Sequence, residues 1–470
     1  MTPEGRSREG SNRTGRTRDP EWGGDETEGG SDSGAFPTGT ADGSLMQETV
    51  LDNGIRVLTE PVPGVRSAAV GVWIRQGAAH EPPEISGASH LLEHLVFKGT
   101  ETRSPRDIAL ALESVGGALD AYTSREHTSY QARVLDEHLP HALEVLADLI
   151  RRPLLRPADL ELEREVVLEE IATVEDTPDD LVFELHGEHL WRNHPYGRSI
   201  LGTRQSVGSL EVESLRELHR ARYLAGDLVV GVAGRVEHDR VVEQVAELFG
   251  DLPAAERPGV PPVSFSPPPP EVRVERDSAQ SHIVFGSIVP PRTDPRRFAL
   301  ILLSSALGGG MSSRLFQKVR EELALAYTVF SFQSFYSKGG VSGAYVGTRP
   351  GWEDRTTAAI EEELGLISRQ GLDPEELERA KRQVKGQVML SLESTSSRLF
   401  RLAGFALYGQ PYLTLDELLA KVDAVTPEEL LQVAVEFLAP EKQFVLRLGP
   451  TGGNGGGPEW GNGDLPAMGG

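Results

Sequence analysis

The sequence predicts an α+β protein of two homologous domains, each a layer of helices on a mainly antiparallel sheet, joined by a proline-rich linker. Three observations carry this expectation. Two long stretches with enough apolar residues for a core flank a run of prolines. The two stretches repeat the same local patterns. Within each, strand-like and helix-like segments mix without the regular strand–helix–strand alternation of a parallel α/β sheet.

The linker is expected over 256–270, where Pro258, Pro261, Pro262 and Pro267 to Pro270 stiffen the backbone. It separates a first domain, 45–255, from a second, 271–450, each of ordinary domain size. Residues 1–44 and 451–470 are dominated by Gly, Ser, Thr and charged side chains with little to bury, so both ends read as loose tails.

Strands are expected at Ile55–Leu58, Ala68–Ile74, Leu228–Ala233 and Ile283–Ile288, where β-branched and apolar residues cluster. Helices are expected at Ser104–Val115, His138–Arg151, Leu160–Val174 and Glu237–Phe249 from their apolar period. The repeat shows in two places. Tyr223-Leu224 precedes a turn and the apolar run from Leu228, and Phe437-Leu438 precedes a turn and the run from Phe444. Pro157-Ala158-Asp159-Leu160 and Pro374-Glu375-Glu376-Leu377 each open a helix with Pro early and acids in the first turn.

Composition narrows the function. The 470 residues are 38% hydrophobic and 25% charged, with a net charge of −24. Such an acidic chain is not built to neutralise phosphates, which argues against nucleic acid as a partner. No apolar run approaches the ~20 residues of a membrane span. The arginines of the first eighteen residues are followed by no apolar stretch, so no signal peptide is expected and the bacterial cytoplasm is the expected location. Cysteine is absent, which leaves only His, Asp and Glu to hold a metal.

One segment answers that requirement. In His90-Leu91-Leu92-Glu93-His94 the two histidines stand four apart, so on a helix both imidazoles project from one face. Glu93 falls on the same face, and Leu91, Leu92 and Leu95 form the side that packs down. This is the H-x-x-E-H arrangement of an inverted zinc motif. A catalytic zinc takes three protein ligands and keeps one position open. The third would be a carboxylate, for which Glu161 to Glu170 offers several candidates. Among them Glu163 and Glu170 lie seven residues apart, on one helix face.

The pentad, Glu163, Glu170 and Phe97-Lys98-Gly99-Thr100 together resemble the pitrilysin/insulinase-type metallopeptidases, especially the processing-peptidase catalytic subunits and their bacterial relatives. The resemblance runs over about Leu51 to Leu448. It implies one Zn²⁺ held by His90, His94 and Glu170, with Glu93 as general base and Glu163 in support. Gly116 to Thr123 resembles the strand on which that family holds substrate backbone, which assigns substrate contacts to Gly117, Ala118, Asp120 and Ala121. The family often carries Asn where this chain has Asp120. Ser313 to Tyr327 resembles the stretch that carries an arginine and a tyrosine into the active site, here Arg320 and Tyr327. Without the resemblance, Arg320 reads as a surface arginine and Tyr327 as a half-buried strand residue.

The second domain has no histidine in Phe298–Leu307, its counterpart of the pentad helix, and Gln387 stands opposite Glu170. The expected activity is therefore zinc-dependent endopeptidase cleavage of peptides or unfolded segments by a metal-activated water. It would use one metal-binding domain and one shaping domain, in a homodimer or a heterodimer with a related chain. A first domain expressed alone is expected to bind zinc. The competing readings are a non-catalytic subunit of the same family and a metal-dependent peptide-binding module.

Overall fold

The computed structural model describes residues 46–254, 259–263 and 270–450. Both expected tails lie outside the described residues, as does most of the expected linker. The first sheet contains β1 (Gln47–Val50), β2 (Arg56–Pro61), β3 (Ser67–Ile74), β4 (Ala118–Thr123), β5 (Thr128–Leu135) and β6 (Leu228–Gly234), in the order β1-β2-β6-β3-β5-β4. The second contains β7 (Glu271–Glu275), β8 (Ser281–Val289), β9 (Ala326–Phe335), β10 (Gly340–Thr348) and β11 (Phe444–Gly449), in the order β7-β11-β8-β10-β9. Leaving out β1, the orders correspond strand for strand. Each sheet has one parallel pair, β2 with β6 and β7 with β11, and is otherwise antiparallel. The expected fold class of two domains of helices on mainly antiparallel sheets is observed, and the repeat is one of topology.

The expected helices run over Pro105–Glu113, Leu139–Arg151, Pro157–Asp176 and His238–Phe249. Their ends are trimmed or extended by caps. Ser104 and Asp107 form a capping box, so the first of these begins after Ser104. β4 with β5 and β9 with β10 are the hairpin pairs of the two sheets.

Strands β3 and β6 are apolar on both faces, and β2 is buried on both, because both faces are covered. Val57, Val70, Val72, Val230 and Val232 face the first domain's own helices. Leu58, Ala69, Trp73, Val229 and Ala233 face the helix Thr395–Leu407 of the second domain, through Leu399, Leu402, Ala403 and Ala406. A Cβ on Gly71 would stand 2.6 Å from the Trp73 ring, so the glycine is what lets that indole lie across the sheet. The exchange is reciprocal. The first domain's helix Pro178–Trp191 packs on β8 and β11, with Leu181, Val182 and Leu190 in one cluster with Val284, Phe444 and Leu446. Wholly buried Glu60 of β2 also takes the Arg398 guanidinium from the exchanged helix, at 2.5 Å. Each domain has a core of its own, but neither covers the second face of its sheet alone.

Candidate metal centre

The pentad lies on the helix Ala88–Val96. The helix starts at Gly87, whose φ of 93° and close approach to the Leu201 carbonyl exclude a side chain. Gly87 cannot cap the helix, and buried Glu81 does so in its place. Its carboxylate accepts from the Gly87 amide at 2.8 Å and the Ser89 amide at 2.6 Å, where the helix dipole favours negative charge. Leu91, Leu92, Leu95 and Val96 anchor the helix in the core, which turns His90 and His94 toward the helix Pro157–Asp176 packed beside it.

On that second helix Glu161, Glu165 and Glu169 face solvent, Glu163 is buried and Glu170 lies between the two extremes. One ligand atom from each of His90, His94 and Glu170 lies within 4.8 Å of the others, the arrangement expected from the resemblance. His94 Nδ1 is 3.1 Å from Glu163 Oε2, and a carboxylate there accepts the ring N–H. Nε2 is then left with its lone pair, 3.8 Å from Glu170 Oε1. His90 Nε2 is 3.6 Å from Glu170 Oε2. Burial, with His94 adding to it, lowers the His90 pKa to about 4, so this imidazole is neutral as a ligand must be. Two imidazole nitrogens thus face a carboxylate across gaps too long for hydrogen bonds. A cation between them resolves the arrangement, and two nitrogens plus one carboxylate oxygen suit zinc with a position left open.

Glu93 lies outside this trio. Its Oε2 accepts the Thr123 hydroxyl at 2.6 Å, and burial raises its pKa against that bond. Glu163 is also paired behind the site, its Oε1 lying 2.7 Å from Lys98 Nζ. Thr123, Lys98 and Glu81 received no role from the sequence. The first two lie within segments that carry the family resemblance, but their partners are thirty or more residues away and only packing brings them together.

Gly117 immediately precedes β4, which holds Ala118, Asp120 and Ala121 and, among the described residues, is the end strand of its sheet, paired only with β5. Ser124 N donates to His127 O in the hairpin turn, and the register pairs Ala121 with Tyr130. Alternation along the ladder then points the Ala121 N–H and C=O away from β5, toward the open edge. Asp120 Oδ1 accepts that N–H at 2.9 Å.

Arg320 and Tyr327 come together elsewhere. Arg320, on a π-helical segment Phe316–Glu322, lies over the Tyr327 ring at 4.5 Å and the Phe316 ring at 4.6 Å. Tyr327 is the second residue of β9 and is 75% exposed rather than half-buried, because β9 is the end strand of the second sheet. The cavity the pair lines is built of second-domain residues and includes none of His90, Glu93, His94 or Glu170.

Among the described residues no helix is long and apolar enough to cross a membrane. The family pattern described as Insulinase (Peptidase family M16) matches residues 56–204, and that described as Peptidase M16 inactive domain matches 209–384. YmxG of Bacillus subtilis, described as an uncharacterized zinc protease, is 38% identical over 409 residues, 87% of this chain and 99% of that protein. A protein of Streptomyces coelicolor with the same description is 38% identical over 84% of this chain and 87% of its own. The crystal structure of a protease from Helicobacter pylori has the same fold, with a TM-score of 0.80 at 23% identity, over 87% of this chain and all of that one. Matched over both domains and nearly the full length of such relatives, the chain belongs to the insulinase-type peptidase family M16.

Proposed function

We propose that this protein is a zinc-dependent endopeptidase that cuts peptides or unfolded segments paired to β4. The observation that carries the reading is that ligand atoms of His90, His94 and Glu170 lie within 4.8 Å of one another, with Glu93 on the same helix face but outside the set. The description of relatives as zinc proteases supports it.

His90, His94 and Glu170 hold the metal, and Glu163 fixes the His94 ring from behind. Zinc bound there supplies a Lewis acid that polarises the scissile carbonyl and acidifies water. Glu93 takes the proton of the attacking water and hands it to the departing amine, while Thr123 holds its carboxylate in place. By the same alternation Ala118 and Asp120 turn their backbone groups to β5, and Gly117 N–H donates to Leu112 O, so of these four it is Ala121 whose N–H and C=O offer the edge to which an extended substrate adds as a strand. For this, the Asp120 carboxylate must release the Ala121 amide. Arg320 and Tyr327 act from a second chain facing this one, a copy or a related partner. There the phenol donates to the developing oxyanion and the arginine grips the substrate backbone.

Cleavage of a quenched peptide tests the reading. It should be lost on chelation, return with zinc, and fall ~10²–10⁴-fold in Glu93→Gln while zinc content stays at one per chain. Activity near wild type in Glu93→Gln would remove the base from the scheme.

A further inference from the structure

We infer that Lys98 is a positioning residue of the metal centre, acting through Glu163 on His94. The inference rests on the zinc reading above.

The Glu163 carboxylate is buried and uses its two oxygens differently. Oε2 faces His94 Nδ1 at 3.1 Å, and Oε1 faces Lys98 Nζ at 2.7 Å. A carboxylate held at one oxygen can still turn about its last torsion, whereas one held at both is locked in plane. Lys98 therefore sets the direction in which Glu163 accepts from His94, and through that bond the direction of the His94 Nε2 lone pair. Outer partners of this kind orient metal ligands and raise their basicity.

The backbone around Lys98 is built to hold the ammonium there. Lys98 directly follows the residue that ends the pentad helix, its N–H donates to Leu95 O at 3.0 Å, and its own carbonyl accepts from Arg156 Nη2 at 2.7 Å. The side chain is 37% exposed against 8% for Glu163, so the charge approaches from the solvent side and closes over the carboxylate. The other imidazole has no such support. Among the described residues, buried His90 Nδ1 has no hydrogen-bond partner. The two histidines are thus held unequally, His90 by packing and His94 by an ion-paired carboxylate. Removing the lysine charge should act on the His94 arm alone.

The test is zinc affinity, measured by competition with a chromogenic chelator on the full-length protein. Lys98→Met keeps the stem and removes the charge, and should weaken zinc binding by ~10–100-fold, the usual effect of losing such a partner. Lys98→Gln should do the same and guards against a solubility effect of the methionine. Lys98→Arg should restore affinity to near wild type, which a merely space-filling role would not require. In a double-mutant cycle, adding Lys98→Met to Glu163→Gln should cost little more than Glu163→Gln alone. Wild-type affinity in both neutral variants would overturn the inference and leave the zinc reading intact. A wild-type protein with no measurable zinc affinity would instead overturn the proposed function.

Discussion

Cutting the chain between its domains exposes the apolar face that the exchanged helix covers. A fragment of residues 46–254 keeps the pentad, Glu163 and Glu170, yet loses the helix Thr395–Leu407. Leu58, Trp73 and Val229 are at most 1% exposed in the whole chain. Uncovering each forfeits about 1.5–3 kcal/mol, or roughly 5–9 kcal/mol for the three, with Ala69 and Ala233 adding about 1 kcal/mol or more between them. The loss of Arg398 opposite Glu60 adds little, since water reaches the carboxylate once the helix has gone. The total is comparable to the ~5–15 kcal/mol that stabilises a typical domain. The fragment is therefore expected to be aggregated or molten, to bind a hydrophobic dye, and to show no cooperative melt by circular dichroism. Supplying 270–450 as a separate chain should restore the melt and zinc binding. A monomeric, dye-silent fragment with a sharp transition and full zinc affinity would refute the argument from the shared core.

If Arg320 and Tyr327 serve a facing chain, Tyr327→Phe alone should keep zinc and lose turnover by about 10²–10³-fold. Mixing it with inactive Glu93→Gln should recover activity, because a mixed dimer has one intact site; no recovery on mixing would overturn the facing chain. Glu81→Ala removes the acceptor of the Gly87 and Ser89 amides and should lower stability by about 2–4 kcal/mol in urea denaturation, with raised backbone exchange at the start of the pentad helix; unchanged stability would mean that water caps the helix equally well. Burial lowers the pKa of His186 to about 3 and of His127 to about 4, from 6.5. Both stay neutral in the folded chain while the unfolded chain takes up protons below pH 6.5, so stability should fall between pH 6.5 and 4 by on the order of 3 kcal/mol per histidine. His186→Gln should flatten that slope, and an unaltered slope would count against His186 as a source.

The helix under the pentad, the helices and strands of strong period, and the repeated strand-entry patterns were all legible because each is encoded within a few neighbouring residues. So was the face shared by His90, Glu93 and His94, which follows from helical spacing alone. The continuous apolar run of β6 could be read as a strand, but nothing local told that its second face is closed by a helix more than 160 residues later. Spacing along the glutamate helix likewise left several acids open. Family resemblance singled out Glu163 and Glu170, and packing against the pentad helix turns these two inward and leaves Glu161, Glu165 and Glu169 to solvent. The Thr123 hydroxyl on Glu93, the Lys98 ammonium behind Glu163 and the Glu81 cap under Gly87 are tertiary decisions. So is the distance between the Arg320–Tyr327 cavity and the pentad. Backbone preference and hydrophobic period act over a turn or a strand, whereas a hydrogen bond between side chains distant in sequence exists only once the sheets and helices between them have packed.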